Sequence, residues 1–217
     1  NDALYFFGRE SERRLLAASM IASRLTLLYG ESGAGKSSLL RAGILHEFRE
    51  TSRRELEKGE FPESIVVFFN SWRDNPVADL IGAISASVED LLGEEGPDPP
   101  SPSQRLDEVI AAWTDILDEH ARSSVSSDGR DPALPLRTEL LVILDQFEQY
   151  FLYHPDEDGE GTFAVEFPRA VNRDDLRVSF LISLREDAYA KLDRFQGRIL
   201  NIFGNNFRIE HLDHDAA

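Results

Sequence analysis

The eight residues Gly30–Ser37, GESGAGKS, match the pattern G-x-x-x-x-G-K-[ST] at every fixed position. A short apolar segment, Arg24–Tyr29, precedes the pattern, and Ser37–Phe48 follows it with apolar residues at helical spacing. Glycines allow successive backbone N–H groups to turn toward an anion, and a helix that begins there directs its positive end at the same point. The pattern therefore predicts a phosphate-binding loop between a buried β-strand and a helix.

Each position of this loop has a predicted part in binding nucleotide phosphates. Lys36 supplies a positive charge for the β- and γ-phosphates and is expected to act in catalysis, and Ser37 offers its hydroxyl to Mg²⁺. The predicted phosphate-binding residues are Gly30, Glu31, Ser32, Gly33, Ala34, Gly35, Lys36, Ser37 and Ser38. The alternative interpretation is a glycine-rich turn that only caps a helix.

Further apolar segments alternate with amphipathic ones along the chain. The remaining predicted strands are Ile65–Phe69, Leu140–Leu144, Val178–Leu184 and Arg208–Leu212, and the remaining predicted helices are Ala78–Leu92, Gln104–His120 and Phe163–Asn172. We expect the last of these helices to be broken near Pro168. Strands that alternate with helices predict βαβ units and a mainly parallel, five-stranded sheet of the α/β class.

The domain organisation follows from length and from two polar segments. We expect residues 1–217 to form a single domain, with flexible loops at 93–103 and 121–137, which are rich in Pro, Gly, Ser or charge. Because the chain starts at Asn1 and not at Met, we also expect it to be excised from a longer multidomain protein.

Net charge and apolar content limit the partners of this chain. The formal net charge is −17 at pH 7, which disfavours broad, non-specific nucleic-acid binding because phosphates are repelled. Cysteine is absent, as expected for a reducing compartment such as the cytoplasm. No apolar segment approaches 18 residues, so we expect no membrane partner.

Two acidic residues follow the apolar strand Leu140–Leu144. A phosphate-binding loop requires a carboxylate at the end of a neighbouring strand to hold Mg²⁺, and Asp145 stands at that position. Glu148 lies three residues further on, where it can orient or deprotonate an attacking water. The alternatives are a helix N-cap for Asp145 and an ordinary surface carboxylate for Glu148.

A third charged residue ends the strand Val178–Leu184. Arg185 is placed to reach the γ-phosphate and to report its presence, and we count it as catalytic. The alternative is an arginine that pairs with one of the 40 carboxylates of this chain.

Four stretches together resemble the bacterial "novel STAND" group of P-loop NTPases. Phe7-Gly8-Arg9-Glu10 with Glu12 resembles the F-G-R-E-x-E entry motif, and Gly30–Leu45 resembles the extended P-loop of that group. Leu140–Phe151 resembles its D-Q-F-E-E acidic motif, and Ser183–Asp187 resembles its T-L-R-x-D sensor strand. The chain has Gln149 where the second Glu is usual and Ser183 where Thr is usual.

The resemblance implies a fold and a function. The fold is a P-loop NTPase three-layer sandwich of the additional-strand (ASCE) type, in which the sensor strand lies between the P-loop strand and the acidic strand. The function is a signal-transduction switch that binds ATP, hydrolyses it slowly to ADP, and assembles on activation. Phe7 and Arg9 lie near the adenine and help to hold the base and sugar, the alternative being an N-terminal strap that only packs on the core.

Relatives of this group carry fused effector and sensor domains, and many act in antiviral defence in bacteria. Three other functions remain open at this stage. They are a motor-like ATPase that acts on nucleic acid, a small-molecule kinase, and a degenerate P-loop domain kept as an interaction scaffold.

Overall fold

A five-stranded parallel sheet organises the chain. The computed structural model describes residues 9–93, 96–100, 105–126 and 137–211. The strands are β1 (Leu25–Gly30), β2 (Ser64–Phe69), β3 (Glu139–Leu144), β4 (Val178–Arg185) and β5 (Asn206–Ile209). Their order across the sheet is β2-β3-β4-β1-β5, and every pair is parallel. The sensor strand β4 therefore lies between the P-loop strand β1 and the acidic strand β3, as the resemblance implied.

Helices cover both faces of the sheet. They are α1 (Glu10–Ala22), α2 (Lys36–Ser38), α3 (His46–Glu57), α4 (Pro76–Leu92), α5 (Leu106–Ser126), α6 (Glu148–Tyr153) and α7 (Phe163–Asn172). A π-helical segment, Leu39–Leu45, joins α2 to α3, and a 3₁₀ segment, Glu186–Phe195, follows β4.

The sheet separates two apolar cores. One face carries an aromatic core that includes Trp72, Trp113 and Phe147, and the other packs Leu16, Met20, Leu39, Leu40 and Ile44 against it. Two buried faces explain why the strands are almost continuously apolar. This arrangement confirms the predicted α/β class and the three layers.

One helix was not predicted, and four predictions about local structure were wrong. Helix α1 was not predicted, and it forms because Leu16 and Met20, four residues apart, bury against the sheet. Helix α3 continues to Glu57 instead of ending at Phe48, and β5 begins at Asn206 instead of Arg208.

Helix α5 continues to Ser126, so its last six residues occupy the start of the segment expected to be a loop at 121–137. Ala121 is fully buried, and this contact extends the helix beyond its predicted end. Most of the remainder of that segment, and parts of the 93–103 segment, lie outside the described residues.

Helix α7 contains Pro168 without a break. Proline has no N–H to donate to the carbonyl of Ala164, four residues earlier. Arg198 Nη1 donates to that carbonyl instead, at 2.8 Å. A side chain from a distant part of the chain thus supplies the hydrogen bond that proline removes.

Among the described residues, no helix is long and apolar enough to cross a lipid bilayer.

Candidate phosphate-binding site

The loop between β1 and α2 adopts a conformation that only its glycines permit. Gly35, immediately before α2, has a φ of 84°, in the left-handed region that favours glycine. Gly30 lies beside β5, and a Cβ at this position would lie 2.2 Å from the carbonyl oxygen of Ile209. Side chains at either position would therefore distort the loop.

Lys36 begins α2 and folds back over the loop. Its Nζ donates to the carbonyl oxygens of Gly30 at 2.8 Å and Glu31 at 2.9 Å. Burial of the ammonium lowers the pKa of Lys36, and the negative charges of Glu148 and Asp145 oppose that shift. The ammonium therefore lies within the field of the two predicted acidic residues.

One cavity of about 330 Å³ lies at the carboxyl-terminal edge of the sheet, where ligands bind in open α/β folds. Three elements line it, namely the phosphate loop and the ends of β3 and β4. The lining residues are Ser32, Gly33, Gly35, Lys36, Ser37, Ser38, Asp145, Gln146, Glu148, Ser183 and Arg185. Six of the nine predicted loop residues therefore meet around one cavity with all three predicted charged residues, two of which follow β3 and one of which ends β4.

Asp145 lines this cavity and has only 1% of its surface exposed. Its main chain is held on both sides, because its N–H donates to the Phe69 carbonyl at 2.8 Å and its carbonyl accepts from Trp72 Nε1 at 2.7 Å. Neither carboxylate oxygen has a hydrogen-bond partner among the described residues. The buried carboxylate with its unsatisfied oxygens and the Ser37 hydroxyl, which line the same cavity, are donors that suit Mg²⁺.

The side chain of Glu148 contacts the main chain of Arg185. Glu148 Oε2 accepts the backbone N–H of Arg185 at 3.1 Å. The Arg185 guanidinium pairs with Asp187, with Nε at 3.1 Å from Oδ1 and Nη2 at 2.5 Å from Oδ2. Arg185 therefore lines the phosphate cavity and also makes the ion pair that was its alternative interpretation.

Three predicted loop residues do not line the cavity. Gly30 ends β1, and Ala34 is buried in the core on the α1 face. Glu31 points outward and pairs with His211, whose Nε2 is 3.4 Å from Glu31 Oε2. These residues shape the loop or lie on its outer surface.

Of the two predicted base-binding residues, the structure describes Arg9. Phe7 is outside the described residues. Arg9 is buried, and its Nη2 donates to the Glu210 carbonyl at 2.6 Å. A second cavity of about 200 Å³ lies beside it, lined by Arg9, Glu10, Arg13, Leu39, Ala42, Gly43 and His46. Arg9 is thus close to the helix that follows the phosphate loop, and away from the phosphate cavity.

Sequence reasoning missed two residues of the phosphate cavity. Gln146 has a φ of 56°, an uncommon conformation for a residue other than glycine, and it places Phe147 in the core and Glu148 at the cavity. Ser183 is fully buried and lines the cavity although it lies within an apolar strand. Ser183 is one of only two hydroxyl residues in the apolar segment Val178–Leu184, and this exception to the pattern is the sequence feature that could have identified it as a site residue.

The fold and the site together define a P-loop NTPase. The family "Novel STAND NTPase 1" matches residues 1–216, and the chain belongs to that family. No curated protein matches the chain.

Solved structures share the fold at low sequence identity. The Aeropyrum pernix ORC1 protein in complex with DNA is 18% identical, with a TM-score of 0.54, and 97% of this chain and 47% of that chain are covered. The ADP form of Aeropyrum pernix ORC2 is 16% identical, with a TM-score of 0.54 and coverage of 94% and 48%. The Walker-type ATPase PABY2304 of Pyrococcus abyssi is 18% identical, with a TM-score of 0.51 and coverage of 97% and 55%. The chain spans about half the length of these structures.

Proposed function

We propose that this domain is an ATP-binding regulatory switch, in which ATP and Mg²⁺ binding and slow hydrolysis control assembly or the activation of an effector. The observation that carries the proposal is the single cavity shared by the phosphate loop, Asp145, Glu148 and Arg185. Membership of a STAND NTPase family supports a signalling role, since regulation is what the resemblance implied.

Within this proposal the loop residues bind the phosphates, and Lys36 places its charge beside the β- and γ-phosphates. Ser37 and Asp145 hold Mg²⁺, which when bound offsets the negative charge of the phosphates. Mg²⁺ in nucleotide sites is typically held by one or two carboxylates together with the phosphates themselves. Among the described residues there is no group of three or more metal-ligating side chains, and Asp145 is the single carboxylate proposed to stand beside the phosphates.

Glu148 is the proposed base that orients or deprotonates the attacking water. One of its oxygens accepts the Arg185 N–H, so the carboxylate must leave this partner to contact a water at the γ-phosphate. A catalytic group held by another hydrogen bond supports slow turnover, as does Gln149 at the position of the usual second Glu.

Phe7 and Arg9 are proposed to hold the adenine and sugar. Support comes from the second cavity, which Arg9 lines together with residues of the π-helical segment that follows the phosphate loop. The Arg9 guanidinium is already bonded to the Glu210 carbonyl, so its proposed role is to shape the base site.

The wider role is also a proposal. We place the domain in the cytoplasm, within a longer protein that carries effector and sensor domains and forms homo-oligomers on activation, with antiviral defence in bacteria as its setting. Family membership supports this proposal.

Thermal unfolding with and without ATP·Mg²⁺ tests the proposal. At a ligand concentration 100-fold above Kd, binding stabilises the domain by about 2.7 kcal/mol, which raises Tm by roughly 5–10 °C for a domain of this size. Lys36→Ala should remove most of that rise. Lys58→Ala is the matched control, because Lys58 is exposed at the far end of α3. Equal rises in the wild type and Lys36→Ala would refute the site.

A nucleic-acid-associated ATPase is the second candidate, favoured by one observation. The ORC1 structure that shares this fold was solved in complex with DNA. The net charge of −17 opposes the same role here. Salt-dependent DNA binding by this domain would favour the second candidate, and the absence of any nucleotide binding would favour an interaction scaffold.

A further inference from the structure

Ser183 is a buried hydroxyl at the phosphate cavity to which the proposed function assigns no role. It lies two residues before Arg185 on β4, has 0% of its surface exposed, and lines the cavity. Its Oγ has no hydrogen-bond partner among the described residues. A buried hydroxyl without a partner is costly, so its retention beside a ligand cavity indicates that the bound state satisfies it.

The register of the sheet brings Ser183 beside Asp145. Leu144 of β3 pairs with Ile182 of β4, so Asp145 and Ser183 are the next residues on the two strands. Neighbouring strands lie about 4.8 Å apart. Two buried residues whose side-chain oxygens have no hydrogen-bond partner among the described residues are therefore neighbours in the lining of the cavity.

Both side chains share the face of the sheet that α2 covers. Ile143 and Leu181 belong to the core on the α1 face, together with Leu39 at the start of the π-helical segment. Because side chains alternate between faces along a strand, Asp145 and Ser183 point to the same face as Ile143 and Leu181. Ser37, which lines the same cavity, belongs to the helix on that face.

We propose that Ser183 is a positioning residue of the cation site, and that its hydroxyl and the Asp145 carboxylate hold between them an ordered water that faces Ser37. An ordered water typically makes two to four hydrogen bonds to buried polar groups, and these side chains supply them. The inference rests on the proposed function, because it concerns the Mg²⁺-dependent part of nucleotide binding.

The same strand supplies a matched control. Ser179 lies four residues before Ser183, on the same face, and is also buried. Its Oγ donates to Glu139 Oε1 at 2.6 Å, so its hydroxyl already has a partner within the protein. Ser179 therefore has a structural hydrogen bond, and Ser183 is expected to make its hydrogen bond only in the liganded state.

The experiment measures ATP affinity by calorimetry, in Mg²⁺ and in EDTA, for the wild type, Ser183→Thr, Ser183→Val, Ser183→Ala and Ser179→Ala. Threonine and valine have nearly the same shape and differ in the hydroxyl. Mg²⁺ is expected to raise the ATP affinity of the wild type, and we expect this increase to be about 2- to 10-fold smaller in Ser183→Val and Ser183→Ala. Ser183→Thr and Ser179→Ala should keep that gain, and all variants should bind ATP equally in EDTA.

Thermal unfolding without nucleotide gives a second readout. Ser179→Ala should lower Tm because it removes a hydrogen bond, and Ser183→Ala should not. An equal Mg²⁺-dependent gain in Ser183→Val, Ser183→Ala and Ser183→Thr would overturn the inference, and so would an equal loss in Mg²⁺ and EDTA. A wild type whose affinity does not depend on Mg²⁺ would overturn the proposed cation site itself, which distinguishes the two failures.

Discussion

Replacing Asp187 by asparagine should increase the affinity of the domain for ATP and leave its affinity for ADP unchanged. The Arg185 guanidinium lines the phosphate cavity and at the same time pairs through two hydrogen bonds with Asp187. If Arg185 turns the Nε and Nη2 edge of its guanidinium to the γ-phosphate, it gives up this pair, because the same N–H groups are then used. The pair therefore competes with ATP and not with ADP, which has no third phosphate.

The exposure of the pair sets the size of the effect. The side chains of Arg185 and Asp187 are 47% and 65% exposed, so solvent screens the pair and its contribution is about 0.2–1 kcal/mol. Removing the competition should raise ATP affinity by about 1.4- to 5-fold. Arg185→Ala acts in the opposite direction and removes a charge-assisted hydrogen bond, which corresponds to about a 10- to 100-fold loss for ATP only.

Calorimetric titration of ATP and ADP, each with Mg²⁺, into the two variants and the wild type measures these changes. Glu186→Gln is the control, because Glu186 pairs with Arg208 at 3.1 Å and leaves the pair of Arg185 and Asp187 intact. Equal losses for ATP and ADP in Arg185→Ala would make Arg185 a structural ion-pair residue. Unchanged ATP affinity in Asp187→Asn would show that the ion pair and the phosphate do not compete.

Three further predictions concern other groups of the domain. Glu148→Gln should leave ATP affinity near that of the wild type and abolish phosphate release, and release at the wild-type rate would contradict its role as the base. Trp72→Phe should lower the free energy of unfolding in urea by about 1–3 kcal/mol more than Trp113→Phe. Both indoles are buried, but among the described residues only the Trp72 indole has a hydrogen-bond partner, which is the Asp145 carbonyl. Equal losses in the two variants would show that this hydrogen bond adds no stability. Burial raises the pKa of the Tyr150 phenol in the folded domain, so as pH rises the phenol loses its proton at a lower pH in the unfolded chain than in the folded one. The contribution of this phenol to the free energy of unfolding is therefore fully present below pH about 10 and decreases above it. Tyr150→Phe should flatten that alkaline decline in chemical denaturation, and an unchanged pH profile would contradict the assignment.

The phosphate loop could be predicted from the sequence because its conformation is local. The glycines that it needs, the lysine and the serine lie within eight consecutive residues, and a loop of this kind leads from a strand into a helix. The edge of the sheet at which the charged residues lie could be predicted for the same reason. Asp145 and Arg185 each follow a continuous apolar strand, and parallel strands present their carboxyl ends at one edge.

Helix boundaries were predicted less accurately than the phosphate loop, because they depend on contacts between residues that are far apart in the sequence. Helix α7 passes through Pro168 only because Arg198 reaches the carbonyl that proline leaves without a donor. The apolar residues of helix α1 do not form a single face, because Leu16 and Met20 are buried against the sheet while Leu15 and Ile21 are exposed. Local periodicity carries no information about either contact.

The pairing of the site residues depends on the tertiary structure alone. The order β3-β4-β1 and the register of these strands place Ser183 next to Asp145. The Trp72 indole donates a hydrogen bond to the main chain of the same aspartate, although 73 positions separate the two residues in the sequence. The amino-acid pattern specifies which groups stand at the strand ends, because residue type and alternation are properties of the segment. Which of those groups become neighbours is specified by strand order, because hydrogen bonding between strands joins residues that are far apart in the chain.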